Sequence, residues 1–257
     1  MFYQISSYLK FLLKSTNQHG VHSPFVYDLV TKCFYDKTRY KAYHSIFNYK
    51  KLLLQNKSTI SVTDLGAGSQ VMKNQKRLIS QMAKNAGTTI NRTKLLFRLT
   101  QYFKPENILE LGTSLGIATH AMSLGNLNAR IITIEGCPNI SKFSERNFKN
   151  ENLNNMKLIT GEFHNEIKKL KPNKFDFIFF DGNHQKEATL QYFESLLETA
   201  HNESVFIFDD IYWSKGMTEA WEIIKNHPKV TVTIDTYFWG FVFFRKEQLK
   251  EHFTIRV

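Results

Sequence analysis

From residue 105 onward, short apolar runs alternate with amphipathic stretches, and that alternation narrows the fold more than any other feature of the chain. Asn107–Leu111, Ala129–Ile134, Met156–Thr160, Phe175–Phe180 and Ser204–Phe208 read as strands. Between and after them, Ile117–Leu124, Ile140–Asn150, Asn165–Leu170, about 186–200 and about 215–226 read as helices. Strands separated by helices at this spacing form crossover units, hence a mostly parallel sheet with helices on both faces. Val230–Tyr237 and Gly240–Arg245 then follow with a link too short for a crossover helix, so they pair antiparallel. The expected fold class is α/β: a doubly wound seven-stranded sheet, mostly parallel, closed by a C-terminal antiparallel hairpin.

The first 104 residues read differently. Phe2, Ile5, Tyr8, Leu9 and Leu12 fall at helical spacing, giving an amphipathic helix over 2–16 that docks on its own domain, a partner or a membrane surface. His19-Gly-Val-His-Ser-Pro24 breaks it, and further helices are expected over about 24–36 and 40–57. From Lys73 to Phe103 two helices are expected, split near Gly87, the first being a basic helix over Lys73–Lys84. No persuasive series of strands appears. Charge divides at the same place: residues 1–104 carry 17 Lys+Arg against 3 Asp+Glu, whereas the whole chain is +11. We therefore expect a helical basic cap or lid over 1–104 and the doubly wound α/β domain over 105–257. The basic region would meet a nucleic acid or another anionic surface, or else is simply a solvated lysine-rich face.

With 257 residues, 42% of them hydrophobic, the chain can bury a large core. No apolar run is long enough for a membrane span, and the N-terminus lacks the layout of a signal peptide. Cys33 and Cys137 are too few for a disulfide framework or metal cluster, so the cytoplasm is the default compartment. His19 and His22 have no partner at zinc-ligand spacing.

Ligands of doubly wound sheets sit beyond the carboxyl ends of the strands. The first such end is Glu110-Leu-Gly112-Thr113-Ser114-Leu-Gly116. Its glycines let the backbone turn sharply and approach a ligand. The spacing is not that of a pyrophosphate loop, and an acid at the strand end repels phosphate but suits a cationic amino group. The next strand ends in Glu135-Gly136, where a carboxylate can accept hydrogen bonds from two ribose hydroxyls. Asp64-Leu-Gly-Ala-Gly-Ser69 is a rival loop, but no strand ending in an acid follows it at the right distance.

Residues 105–245 resemble the Rossmann-like class I S-adenosylmethionine-dependent methyltransferases, and among them the catechol and caffeoyl-CoA type of O-methyltransferases with their bacterial relatives. Ile108-Leu-Glu-Leu-Gly-Thr-Ser-Leu-Gly116 carries the likeness, and the terminal hairpin separates the fold from a dehydrogenase domain. The resemblance implies that Glu110 and the Gly112–Gly116 loop hold the methionine part of S-adenosylmethionine and Glu135 its ribose. It also places Gly161-Glu162-Phe163 at the adenine.

Asp181-Gly-Asn-His184 follows the fourth strand, and Asp209-Asp210 ends the fifth. Three carboxylates at one sheet edge are costly unless protonated, hydrogen-bonded or bound to a hard cation such as Mg2+. The resemblance points to the same three residues, although Asp210 stands where metal-dependent members have Asn. Asp181 would also touch the cofactor. His184, with an ordinary pKa near neutrality, is a candidate general base or a structural hydrogen-bonder. Trp213, Trp221 and Trp239 could line a substrate site, Trp221 being better placed for the core. The expected activity is methylation of a small-molecule hydroxyl, with metal assistance and with a homodimer as one assembly. An RNA-modifying methyltransferase using the basic region and a non-catalytic binding protein of the same fold are the alternatives. Against the RNA reading, no aromatic-proline signature follows strand four, and neither cysteine sits where C5 attack on pyrimidines needs one.

Overall fold

The computed structural model describes residues 2–63, 75–85, 87–170 and 173–257. The Asp64–Ser69 loop and the start of the Lys73–Lys84 stretch lie outside them. The chain forms two compact units, one of residues 1–35 with 167–257 and one of residues 36–166.

The first unit opens with α1 (Phe2–Lys14) and α2 (Pro24–Leu29), which passes into one π turn over Val30–Phe34. Ser23 caps α2, its hydroxyl accepting from the Val26 N–H, and Pro24 supplies the pre-set φ of a first helical turn.

The second unit begins with α3 (Ala42–Gln55), then strands β1 (Thr59–Ser61) and β2 (Lys76–Leu78), α4 (Ile79–Asn85) and α5 (Ile90–Phe103). β1 and β2 pair antiparallel, Ile60 opposite Arg77. This corrects the purely helical reading of the region: residues 76–78 are strand, and the helix expected over Lys73–Lys84 starts only at Ile79. Three-residue strands are too short for alternation to register. The unit continues through β3 (Asn107–Leu111), α6 (Ile117–Gly125), β4 (Arg130–Glu135), α7 (Pro138–Asn150) and β5 (Met156–Thr160). β4 lies between β3 and β5, parallel to both, with Glu110 opposite Thr133 and Glu135 opposite Thr160. α8 (Phe163–Leu170) leads back to the first unit.

There β6 (Phe177–Phe180), α9 (Lys186–Leu196), β7 (Val205–Asp209), α10 (Lys215–Asn226), β8 (Val232–Asp235), β9 (Trp239–Phe243) and β10 (Glu251–Thr254) complete the chain. Every residue of β6 and β7 is buried, which is why they read as unbroken apolar runs rather than alternations. β9 is inserted between β7 and β8 and is antiparallel to both. β10, which the sequence reading missed, adds to the outer side of β8 in parallel. The larger sheet therefore has eight strands, not seven. The core of the first unit is aromatic, with Phe177, Phe179, Phe206, Phe208, Phe241, Phe243, Trp221 and Trp239 fully buried. Gly240 is required there because any side chain would run into the Trp221 ring.

α1 docks with an unexpected face. Its contacts are Tyr3 to the Thr218 hydroxyl (2.7 Å), Gln4 to the Trp213 carbonyl (3.1 Å) and the Tyr237 hydroxyl to the Gln4 carbonyl (2.7 Å). Tyr8 and Phe11 pack on the Tyr237 ring. Own-domain docking does occur, but through Tyr3, Gln4, Ser7 and Phe11, with Tyr8 the one member of the expected stripe that takes part.

Candidate functional site

The second unit holds the expected cofactor residues other than Asp181, and strand register explains their arrangement. Glu110 is fully buried in β3. Thr133, its partner in β4, donates to Glu110 Oε2 at 2.6 Å, and Thr119 from α6 donates to the same oxygen. Thr133 has then spent its proton, so Thr113 must donate to it across their 2.6 Å contact. Glu110 Oε1 has no hydrogen-bond partner among the described residues. Burial, with a smaller push from Glu135, raises the Glu110 pKa to about 7 despite the two threonine hydrogen bonds. An ammonium group is the ligand chemistry such a carboxylate needs, so these residues fit the amino-acid part of S-adenosylmethionine.

The loop after β3 is turned by Gly112 (φ 104°), Ser114 (φ 48°) and Gly116 (φ 75°). Gly112 and Thr113 donate to the Ile134 carbonyl, tying the loop to β4. A side chain at Gly116 would collide with the Phe148 ring, and the Tyr49 hydroxyl lies close by. Glu135 is nearly buried, and its two oxygens accept from the Ser114 and Cys137 N–H groups, each at 2.9 Å. The expected ribose ligand is therefore also the clamp that fixes the glycine loop. Gly136 is half-buried beside it. Gly161 donates to the Glu135 carbonyl at 3.0 Å, while Glu162 is exposed and accepts from Asn165 (2.7 Å), and Phe163 is half-buried at the start of α8.

Sequence reasoning missed the supporting polar residues. Tyr49 donates to the Leu115 carbonyl (2.7 Å), and Ser144 to the Ser114 carbonyl (2.6 Å). Buried His120 stacks on Tyr49 with ring centroids 4.6 Å apart, and its Nε2 is 3.6 Å from Glu151. Burial lowers the His120 pKa to about 4. The one legible signal was hydroxyl residues inside apolar elements, as at Thr133 in Ile-Ile-Thr-Ile.

The acidic residues lie in the first unit. β6 and β7 pair up to Phe180 and Phe208, so Asp181 and Asp209 stand one step beyond the last pair at neighbouring carboxyl ends. Ligand atoms of Asp181, His184 and Asp209 all lie within 4.8 Å of one another, the one such group among the described residues. His184 Nε2 is 3.9 Å from Asp181 Oδ1. Desolvation lowers the His184 pKa, partly opposed by Asp209, and this keeps the imidazole neutral. Asp209 is nearly buried and accepts from Trp239 Nε1 at 2.6 Å, a bond set by the Asp209–Trp239 register between β7 and β9. Asp210 is not in the group. It lies one residue beyond β7, where the backbone turns left-handed (φ 54°) and its N–H donates to the Phe238 carbonyl.

Trp221 is core, as read, and Trp239 is buried as the holder of Asp209. Trp213 is half-buried, with its carbonyl taken by Gln4. His19 and His22 are exposed and in no metal-type group. Two carboxylates and an imidazole supply the oxygen and nitrogen donors that a divalent cation takes.

Residues 109–211 match the family model of a methyltransferase domain. The chain shares its fold with solved methyltransferases. A methyltransferase from Podospora anserina bound to S-adenosylhomocysteine superposes with a TM-score of 0.59 at 15% identity, over 88% of this chain and 97% of that one. An O-methyltransferase from Bacillus cereus, also in complex with S-adenosylhomocysteine, gives 0.54 at 19% identity, over 83% and 95%. The O-methyltransferase TomG of tomaymycin synthesis from Streptomyces achromogenes, in complex with S-adenosylmethionine, gives 0.58 at 13%, over 84% and 95%. No curated protein matches the chain in sequence. No helix among the described residues is long and apolar enough to cross a membrane.

Proposed function

We propose that this protein transfers the methyl group of S-adenosylmethionine to a hydroxyl oxygen of a small molecule, with a divalent cation such as Mg2+ held by Asp181 and Asp209. The convergence of Asp181, His184 and Asp209 carries this reading, because methyl transfer to a hydroxyl needs a way to remove its proton. S-adenosylmethionine supplies a sulfonium methyl open to in-line displacement. A bound cation would act as a Lewis acid, lowering the pKa of the acceptor hydroxyl.

The residues of the chain divide the remaining work. Glu110 Oε1 takes the ammonium group, and Glu135 takes the ribose while holding the loop still. Gly161, Glu162 and Phe163 frame the adenine. Asp181 and Asp209 hold the cation, and Trp239 fixes the rotamer of Asp209. His184, kept neutral by burial, accepts the proton of the acceptor. Positioning is the main contribution, since displacement at carbon needs the nucleophile and leaving sulfur in line.

Calorimetric titration with S-adenosylhomocysteine, with and without Mg2+ and a catechol, tests the proposal. Cofactor binding together with Mg2+-dependent catechol binding is expected. Asp209→Asn should lose the Mg2+ response, whereas His184→Gln should keep it and lose turnover. No binding of S-adenosylhomocysteine would overturn the reading.

The basic region favours a second reading, methylation of RNA. Lys37, Arg39, Lys41, Lys51 and Lys57 are all exposed. RNA affinity that falls steeply with salt and catalytic methylation of RNA would establish it. Affinity that stays flat with salt would dismiss it.

A further inference from the structure

α1 is built inside out. Phe2, Ile5, Leu9, Leu12 and Leu13 are exposed, Phe2 at 93% and Leu13 at 88%, whereas Ser7 is buried against the fold. At 100° per residue these five apolar side chains occupy one continuous face, opposite the side held by Gln4, Ser7 and Phe11. The docking bonds of Tyr3, Gln4 and Tyr237 hold the helix in that orientation. A patch of this kind marks a surface that something covers.

Charge decides what covers it. α1 contains no acidic residue, and its two charges, Lys10 and Lys14, are exposed and make no ion pair among the described residues. A second copy packed through the same face would bring like charges together with nothing to neutralise them. An anionic bilayer surface satisfies both features: the apolar face enters the acyl boundary, and Lys10, beside the rim of that face on a flexible stem, reaches the headgroups. The helix has 13 residues, too few to span a membrane.

We infer that α1 is an interfacial anchor that lays this protein on anionic lipid membranes through Phe2, Ile5, Leu9, Leu12 and Leu13, with Lys10 at the headgroups. The inference is independent of the reaction the protein catalyses.

Flotation of the full chain with vesicles tests it. Vesicles of phosphatidylcholine with phosphatidylglycerol should carry the protein, and vesicles of phosphatidylcholine alone should carry far less. Leu9→Gln with Leu13→Gln should weaken binding by at least about tenfold. Lys10→Gln should weaken it by about fivefold, and Lys14→Gln, on the docked side of the helix, by less. Because these sites are solvent-exposed, melting curves of the variants should match the parent. A Phe2→Trp variant gives a second readout: its emission should shift to the blue with phosphatidylglycerol vesicles only. The inference fails if the parent does not float with anionic vesicles, or if the leucine variants float as well as the parent. It fails equally if sedimentation shows a dimer that Leu9→Gln with Leu13→Gln dissolves while vesicles leave the protein unbound.

Discussion

Glu110 and His120 are buried groups whose ionisation opposes folding, and they act in opposite pH directions. His120 titrates at about 4 in the fold against an ordinary 6.5. Its unfolded form binds a proton first, so stability is complete above pH 6.5 and falls as pH drops toward 4, by about 3 kcal/mol in all. His120→Phe should flatten that acid limb in melting curves. Glu110 titrates at about 7 against an ordinary 4.5. Its unfolded form gives up the proton first, so stability falls as pH rises from 4.5 through 7, again by about 3 kcal/mol. Glu110→Gln should therefore melt higher than the parent at pH 8 and bind S-adenosylhomocysteine far more weakly. A variant that binds as the parent does would remove Glu110 from the cofactor site. Trp239→Phe leaves the nearly buried Asp209 without its indole donor. It should weaken Mg2+ binding and leave S-adenosylhomocysteine affinity unchanged, as calorimetry would show.

At the scale of elements, the loop between β3 and α6 has little tolerance. Gly116 combines positive φ with contact against Phe148. Gly116→Ala should cost about 1–3 kcal/mol and lose the cofactor response, measured by denaturant midpoint and titration. β10 is a different case. It covers β8, and Phe253 with Ile255 contributes buried apolar surface. Truncation after Lys250 should cost about 3–6 kcal/mol and leave β8 as an open edge prone to aggregation. A truncated chain that melts like the parent would show that β10 contributes little. Elements were legible in proportion to their length and periodicity. α6, α7, α10, β3 and β5 appear almost as read. β1, β2 and β10 did not, because three or four residues with mixed burial carry no period. Thr16 bridges to Ile255 across most of the chain length, a partnership that no local pattern announces.

For the whole molecule, ligand binding provides the measure. If S-adenosylhomocysteine binds only the folded chain, a hundredfold excess over its Kd should add about 2.7 kcal/mol. A thermal scan at pH 8 should show the gain, and Glu110→Gln should abolish most of it. The excess of 17 Lys+Arg over 3 Asp+Glu in residues 1–104 was plain in the sequence, but the direction of the α1 apolar stripe was not. Periodicity shows that a helix has two faces; it does not show which face is turned inward. Here hydrogen bonds from Tyr3, Gln4 and Tyr237 outweigh the usual preference and turn the stripe to solvent.

The sequence by itself determined the α/β class, the run of strands and helices from 105 onward, and the glycine loop with acids at two strand ends. Those features are written locally, in burial patterns and in turns that need particular residues. Tertiary structure alone decided the eighth strand, the insertion of β9 between β7 and β8, and which acids meet. Asp209 joins Asp181 and His184 because β6 and β7 pair in register, whereas Asp210 lies one residue beyond β7, where the backbone turns left-handed, and is not in the group. Register also brought Thr133 to Glu110 and Trp239 to Asp209. Such pairings depend on which strands become neighbours, a choice the whole chain makes at once and no short segment records.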